Sequence, residues 1–147
     1  MKKETVYRPF LRVLSPVAVA AAAALIAGCA GPTVKTAATP EEIIRERAQV
    51  RAELVQKREY EKAYAYLAPS YRALNDTQAY RNTFGGGVEW VDPKVSKVKC
   101  PDADRCIVEI DMAVRVAAPG FGSKPIPHTL FETWIEEDGQ WWYFQRK

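Results

Sequence analysis

The chain has 147 residues, enough for one domain of ordinary size. Its hydrophobic fraction of 48% and charged fraction of 27% are those of a globular protein, which argues against a disordered, collagenous or coiled-coil chain. The net charge of +3 sits in the first 28 residues, which hold four of the 21 basic residues and one of the 18 acidic ones. The remainder carries 17 of each, so it offers no electrostatic footprint for nucleic acid, and no such partner is expected.

The N-terminal segment has the layout of a secretory signal. Lys2, Lys3, Arg8 and Arg12 form a basic start, and an alanine-rich apolar stretch from Val13 to Ala27 follows, broken by Ser15 and Pro16. It runs into Leu25-Ile26-Ala27-Gly28-Cys29, which resembles the lipobox of bacterial lipoproteins. The resemblance implies cleavage between Gly28 and Cys29, diacylglycerol on the Cys29 thiol and acylation of the new amino terminus. Several acyl chains, at about 0.8 kcal/mol per buried methylene, anchor durably where one does not. Ala30 stands where similar lipoproteins destined for the inner membrane carry aspartate. The resemblance therefore implies the outer membrane, facing the periplasm. Residues 1–28 read as signal peptide, 29–39 as lipidated cysteine and tether, and 40–147 as the folded domain.

Thr39-Pro40-Glu41-Glu42 combines an N-cap, a proline at the first helical position and a capping-box glutamate. Ile43, Ile44, Val50, Leu54 and Val55 then keep helical spacing to about Gln56. A second helix carries Tyr60, Ala63, Tyr64 and Leu67 until Pro69 stops it. A third, from about Asp76, carries Tyr80 and Phe84 and ends in Gly85-Gly86-Gly87. The charged run Lys57-Arg58-Glu59 reads as a solvated turn. Val88 to Val91 is a first edge piece, interrupted by Pro93. Val95 to Cys100 and Cys106 to Val116 are strands, the latter with clean alternation of Cys106, Val108, Ile110, Met112, Val114 and Val116. After a Gly/Pro-rich loop from Pro119 to Pro127, strands from about His128 to Glu137 and from Gln140 to Arg146 flank the hairpin signal Asp138-Gly139.

With Cys29 given to lipid, Cys100 and Cys106 remain as an even pair in an oxidising compartment. Pairing them across a hairpin puts Val98 opposite Val108 and Lys97 opposite Glu109, both sound cross-strand matches. A structural disulfide is the favoured reading. The rivals are a metal site, for which one histidine supplies too few ligands, and a redox pair, which favours Cys-x-x-Cys at a helix start. No cofactor and no metal are implied.

Helices followed by an antiparallel meander define an α+β class with the helices on one sheet face. Two stretches resemble the NTF2-like (SnoaL-like) superfamily. They are Glu59-Tyr60-Glu61-Lys62-Ala63-Tyr64-Ala65-Tyr66-Leu67-Ala68-Pro69-Ser70-Tyr71-Arg72 and the closing Glu132-Thr133-Trp134-Ile135-Glu136-Glu137-Asp138-Gly139-Gln140-Trp141-Trp142. The resemblance covers about Thr39 to Lys147 and implies a curved sheet wrapped around the N-terminal helix as a cone.

No catalytic constellation assembles from sequence. His128 and Glu132 share a strand face but stand about 13 Å apart, too far for a hydrogen-bonded dyad. The triglycine does not open a helix as a phosphate loop would. The hairpin register places Trp142 opposite Ile135, Tyr143 opposite Trp134 and Trp141 opposite Glu136. Phe131, Ile135, Trp142 and Phe144 then form the face expected against the helices. Leu130, Glu132, Trp134, Trp141 and Tyr143 form a second face, with His128 and Gln145 among them. That second face is the candidate interface or pocket. As an interface it makes the protein a non-catalytic binding or assembly module, with a homodimer or an envelope protein as partner. As a pocket it makes a small-molecule cone with isomerase, dehydratase or hydrolase activity, Glu132 acting as base with Tyr143 or His128. A third possibility is that the loop from Pro119 and the tether simply cover it.

Overall fold

The computed structural model of the protein describes residues 37–85, 87–120 and 124–146. The signal segment, Gly28, the expected lipidation site Cys29 and the tether as far as residue 36 lie outside them.

Helix α1 (Pro40–Gln56) begins as its sequence dictates. The Thr39 hydroxyl accepts from the Glu42 N–H at 3.3 Å, and the Glu42 carboxylate accepts from the Thr39 N–H at 2.8 Å. Its buried stripe is Ile44, Ala48, Arg51, Ala52 and Val55. Arg58 closes the helix in a left-handed conformation, φ 59°, while the Glu59 N–H reaches back to the Leu54 carbonyl at 2.8 Å. Helices α2 (Tyr60–Tyr64), α3 (Pro69–Arg72) and α4 (Thr77–Asn82) follow. The helix expected to run until Pro69 ends earlier, at Tyr64, with Leu67 already bridged to Tyr143, and Pro69 instead opens α3, because its fixed φ suits a first helical turn. Asp76 caps α4 by accepting from the Ala79 N–H at 2.8 Å.

Strands β1 (Val88–Asp102), β2 (Arg105–Val116), β3 (Ile126–Glu137) and β4 (Gln140–Phe144) form one antiparallel sheet in the order β1-β2-β3-β4. The segment from Val88 is not cut at Pro93. It bulges at Asp92, φ 50°, and continues. Gln49 of α1 bridges the bulge, accepting from the Val95 N–H at 2.9 Å and donating to the Pro93 carbonyl at 3.0 Å.

The expected NTF2-like cone is not what the chain builds. The sheet is an open four-stranded meander whose first and last strands do not pair with each other. Enclosing a side-chain-filled interior by strands alone takes about eight of them. The irregularities that bend a sheet are confined here to the β1–β2 ladder, and no register shift interrupts β2–β3 or β3–β4. The α+β class stands, with the helices on one face of an open sheet.

That face is not the one expected. Trp134 is completely buried, whereas Phe131 is 63% exposed. The main core packs Ile44, Ala48 and Ala52 of α1 on Cys106, Val108 and Ile110 of β2, Trp134 of β3 and Trp141 of β4. The β2–β3 register decides this. Cys106 pairs with Trp134, Val108 with Glu132 and Ile110 with Leu130, so the apolar row of β2 shares its face with the even-numbered residues of β3. Trp142, expected in the core, is a half-buried platform between the guanidinium groups of Arg47 and Arg72, 5.0 and 5.2 Å from its ring centroid. A second cluster gathers Val55, Ala63, Leu67 and Tyr80 beneath the short helices.

Cys100 and Cys106 are disulfide-bonded, with Val98 opposite Val108 and Lys97 opposite Glu109. The turn is tighter than the sequence suggests, because Asp102 still pairs with Arg105. Replacing both cysteines (Cys100→Ala/Cys106→Ala) is expected to lower the unfolding free energy by about 2 kcal/mol through the lost loop constraint. Urea denaturation of the variant beside the oxidised protein measures it, and far-UV circular dichroism should stay unchanged.

Candidate functional site

Arg51 sits midway along α1 within the apolar stripe and is 2% exposed; Glu132, at the centre of β3, is 1% exposed. The Arg51 Nη1 and the Glu132 Oε1 form an ion pair. The other carboxylate oxygen accepts from Trp134 Nε1 at 3.0 Å, and Arg51 Nη2 donates to the Tyr80 hydroxyl at 3.1 Å. The guanidinium carbon lies 3.7 Å from the centroid of the Tyr143 ring. Four elements (α1, α4, β3 and β4) thus meet at one guanidinium.

Burial alone would pull the Arg51 guanidinium down, but Glu132, Tyr80 and Tyr143 outweigh it and raise it further, so it stays charged. Burial pushes the Glu132 carboxyl up, against the pull of Arg51 and the Trp134 hydrogen bond. Burial likewise pushes the Tyr143 phenol up to about 12, with Arg51 opposing. Both carboxylate oxygens of Glu132 are engaged, and neither it nor Arg51 borders the surface grooves described below. In this arrangement the group clamps the helices to the sheet.

All five residues expected at the interface or pocket lie on the face that α1 covers. Glu132, Trp134 and Trp141 are buried, while Leu130 and Tyr143 are half-buried. They pack beneath α1, and Tyr143 among them also borders a surface hollow. His128 is exposed near the start of β3, opposite Met112, and does not join them. Sequence reading missed Arg51 and Tyr80. The available signal was a lone cation at helical spacing within Ile44, Ala48, Ala52 and Val55.

The exposed apolar surface lies elsewhere. A groove of about 520 Å³ runs between α3 with its exit (Ser70, Tyr71, Leu74, Asn75) and the end of β4 (Phe144, Gln145, Arg146). Leu74, 78% exposed, stands on its rim. An adjoining hollow of about 320 Å³ shares Phe144, Gln145 and Arg146 and adds Tyr143 together with Ile107, Phe131 and Thr133 of the outer sheet face. The helical wall is held in place. Ser70 donates twice to the Glu137 carboxylate at 2.9 Å, and the Tyr64 hydroxyl donates to the Asn75 carbonyl at 2.7 Å. Among the described residues no group of three or more His, Cys, Asp or Glu could hold a metal, and no helix is long and apolar enough to cross a membrane.

No family model matches the sequence, and no curated protein matches it. Among solved structures the chain is similar to a SEC-C motif containing protein from Rhodopseudomonas palustris. The two are 17% identical over 73% of this chain and 76% of that one, with a TM-score of 0.49. Similarity at that level bears on neither fold nor function. What the geometry does define is a small α+β domain with a buried charged cluster and an exposed aromatic surface of the kind that binds a ligand or a protein.

Removing one partner of the buried pair leaves the other charged and unpaired. Glu132→Leu or Arg51→Met alone should cost about 3–5 kcal/mol, whereas the double variant should cost clearly less than the two together. Urea unfolding of the four proteins in this cycle measures the coupling.

Proposed function

We propose that the protein is a small-molecule-binding domain held at the outer membrane by lipid on Cys29, facing the periplasm. The observation that carries the binding reading is the groove between α3 and the end of β4. Tyr71, Leu74 and Phe144 give it apolar walls, while Ser70, Asn75, Gln145 and Arg146 supply a few polar groups. Its volume of about 520 Å³ lies within the roughly 300–1,000 Å³ typical of ligand sites. The ligand such walls fit is an apolar or aromatic body with one polar edge. The lipobox supports the anchor, and the Cys100–Cys106 bond suits an oxidising envelope compartment.

A catalytic reading keeps one observation in its favour, the gathering of Glu132 and Tyr143 around Arg51. It requires a substrate to reach a carboxylate whose oxygens are both engaged, and so ranks second.

The groove is tested with the apolar fluorescent probe 8-anilinonaphthalene-1-sulfonate. Saturable binding to the native protein should weaken about tenfold or more in Leu74→Asp, at an unchanged urea midpoint because Leu74 packs into no core cluster. Binding that ignores Leu74→Asp would place the ligand surface elsewhere. The anchor is tested separately: Cys29→Ala should abolish palmitate labelling and leave the membrane fraction empty of the mature form, and persistent labelling would overturn it.

A further inference from the structure

A second cavity, sharing no residue with the groove, opens at the corner where α1 turns into α2 and meets the end of α4. It measures about 330 Å³ and is lined by Arg58, Tyr60, Arg81, Asn82 and Gly85. Two arginines and an asparagine therefore line one small volume, and among the described residues no Asp or Glu does.

Arg58 is the informative residue. It occupies the left-handed position that ends α1, φ 59°, with its N–H bonded to the Val55 carbonyl at 2.9 Å and the following N–H bonded to the Leu54 carbonyl at 2.8 Å. Glycine is the default there, because any Cβ strains the backbone. Fold stability alone would not choose an arginine at this position, and strain retained in a cavity wall points to work done by the side chain. Among the described residues Arg58 forms no ion pair.

The other lining groups are also available as donors. Among the described residues the ion-pair partner of Arg81 is Glu61, at 3.9 Å and with both side chains exposed. Asn82 accepts from Gln78 through its oxygen at 2.9 Å, which leaves its amide NH₂ to donate. The nearest acid in sequence, Glu59, is paired with Lys62. A Cβ added at Gly85 would meet nothing within 4 Å, so the wall stays open on that side. The floor is firm: Tyr60 stacks on Phe84 with ring centroids 4.8 Å apart, and Phe84 meets Tyr80 edge-on at 5.0 Å.

We infer that this cavity is an oxyanion site, built to take the phosphate or carboxylate of a small molecule between Arg58 and Arg81, with Asn82 as a further donor. Two guanidinium forks match the paired oxygens of either group, and the ligand's negative charge offsets the repulsion between the two cations. The inference does not depend on the apolar groove.

The test uses the full-length native protein, with thermal unfolding followed in inorganic phosphate or succinate against sodium chloride at equal ionic strength. The expected result is a saturable rise in Tm with one anion or both, beyond the chloride control. Arg58→Gly should raise Tm without the anion, because the left-handed strain is relieved, yet weaken anion binding about tenfold or more. Arg81→Gln, a substitution of an exposed residue, should weaken binding similarly with the starting Tm little changed. A response to neither anion beyond that to chloride would overturn the proposal. So would an anion response that survives intact in both variants.

Discussion

Arg51 and Glu132 can leave water only if they find each other, and that requirement orders the whole domain. Each ion costs several kcal/mol to desolvate, to be recovered through the pair itself and through Trp134 and Tyr80. Bringing these four side chains together fixes the rotation of α1 over the sheet, the docking of α4 against α1 and the face that β3 presents inward. An apolar stripe on α1 would tolerate sliding by a turn. A guanidinium held by Glu132, Tyr80 and the Tyr143 ring does not. The buried pair thus contributes register as much as stability.

The same arrangement explains where binding surface is left over. With α1 occupying one sheet face, Trp134, Trp141 and Tyr143 of the β3–β4 hairpin are consumed by the core. Phe131 and Phe144, on the opposite face, are not covered by α1 and stay exposed. Helix α3 and its exit then stand beside the end of β4, tied by the Ser70–Glu137 contacts and by the backbone bonds that join Tyr66 and Ala68 to Tyr143. A groove is what remains between a helix held at a distance and an uncovered sheet edge.

Rigidity in the core and strain at the corner are complementary. Tyr80 connects the two regions, receiving the Arg51 hydrogen bond on one side and packing against Phe84 on the other. Phe84 in turn supports Tyr60, a wall of the cavity that carries the left-handed Arg58. A domain that can hold an arginine in a glycine conformation needs such a fixed support, since an unsupported turn would relax.

Much of the architecture was written locally. The capping box, the helical spacing of α1, the Asp138-Gly139 hairpin with its register, and the cross-strand match that places Cys100 beside Cys106 all depend on neighbours in sequence or on one turn, and each is legible there. What sequence could not decide is which of two apolar faces turns inward, whether the sheet closes, and which charged residues are buried. Those depend on the β2–β3 register and on the packing of α1 across the sheet, contacts between residues as far apart as Arg51 and Glu132. Because strand side chains alternate with period 2, an error of one residue in that long-range register inverts every assignment on the hairpin. Phe131 and Trp134 therefore exchange the roles that composition alone suggests for them.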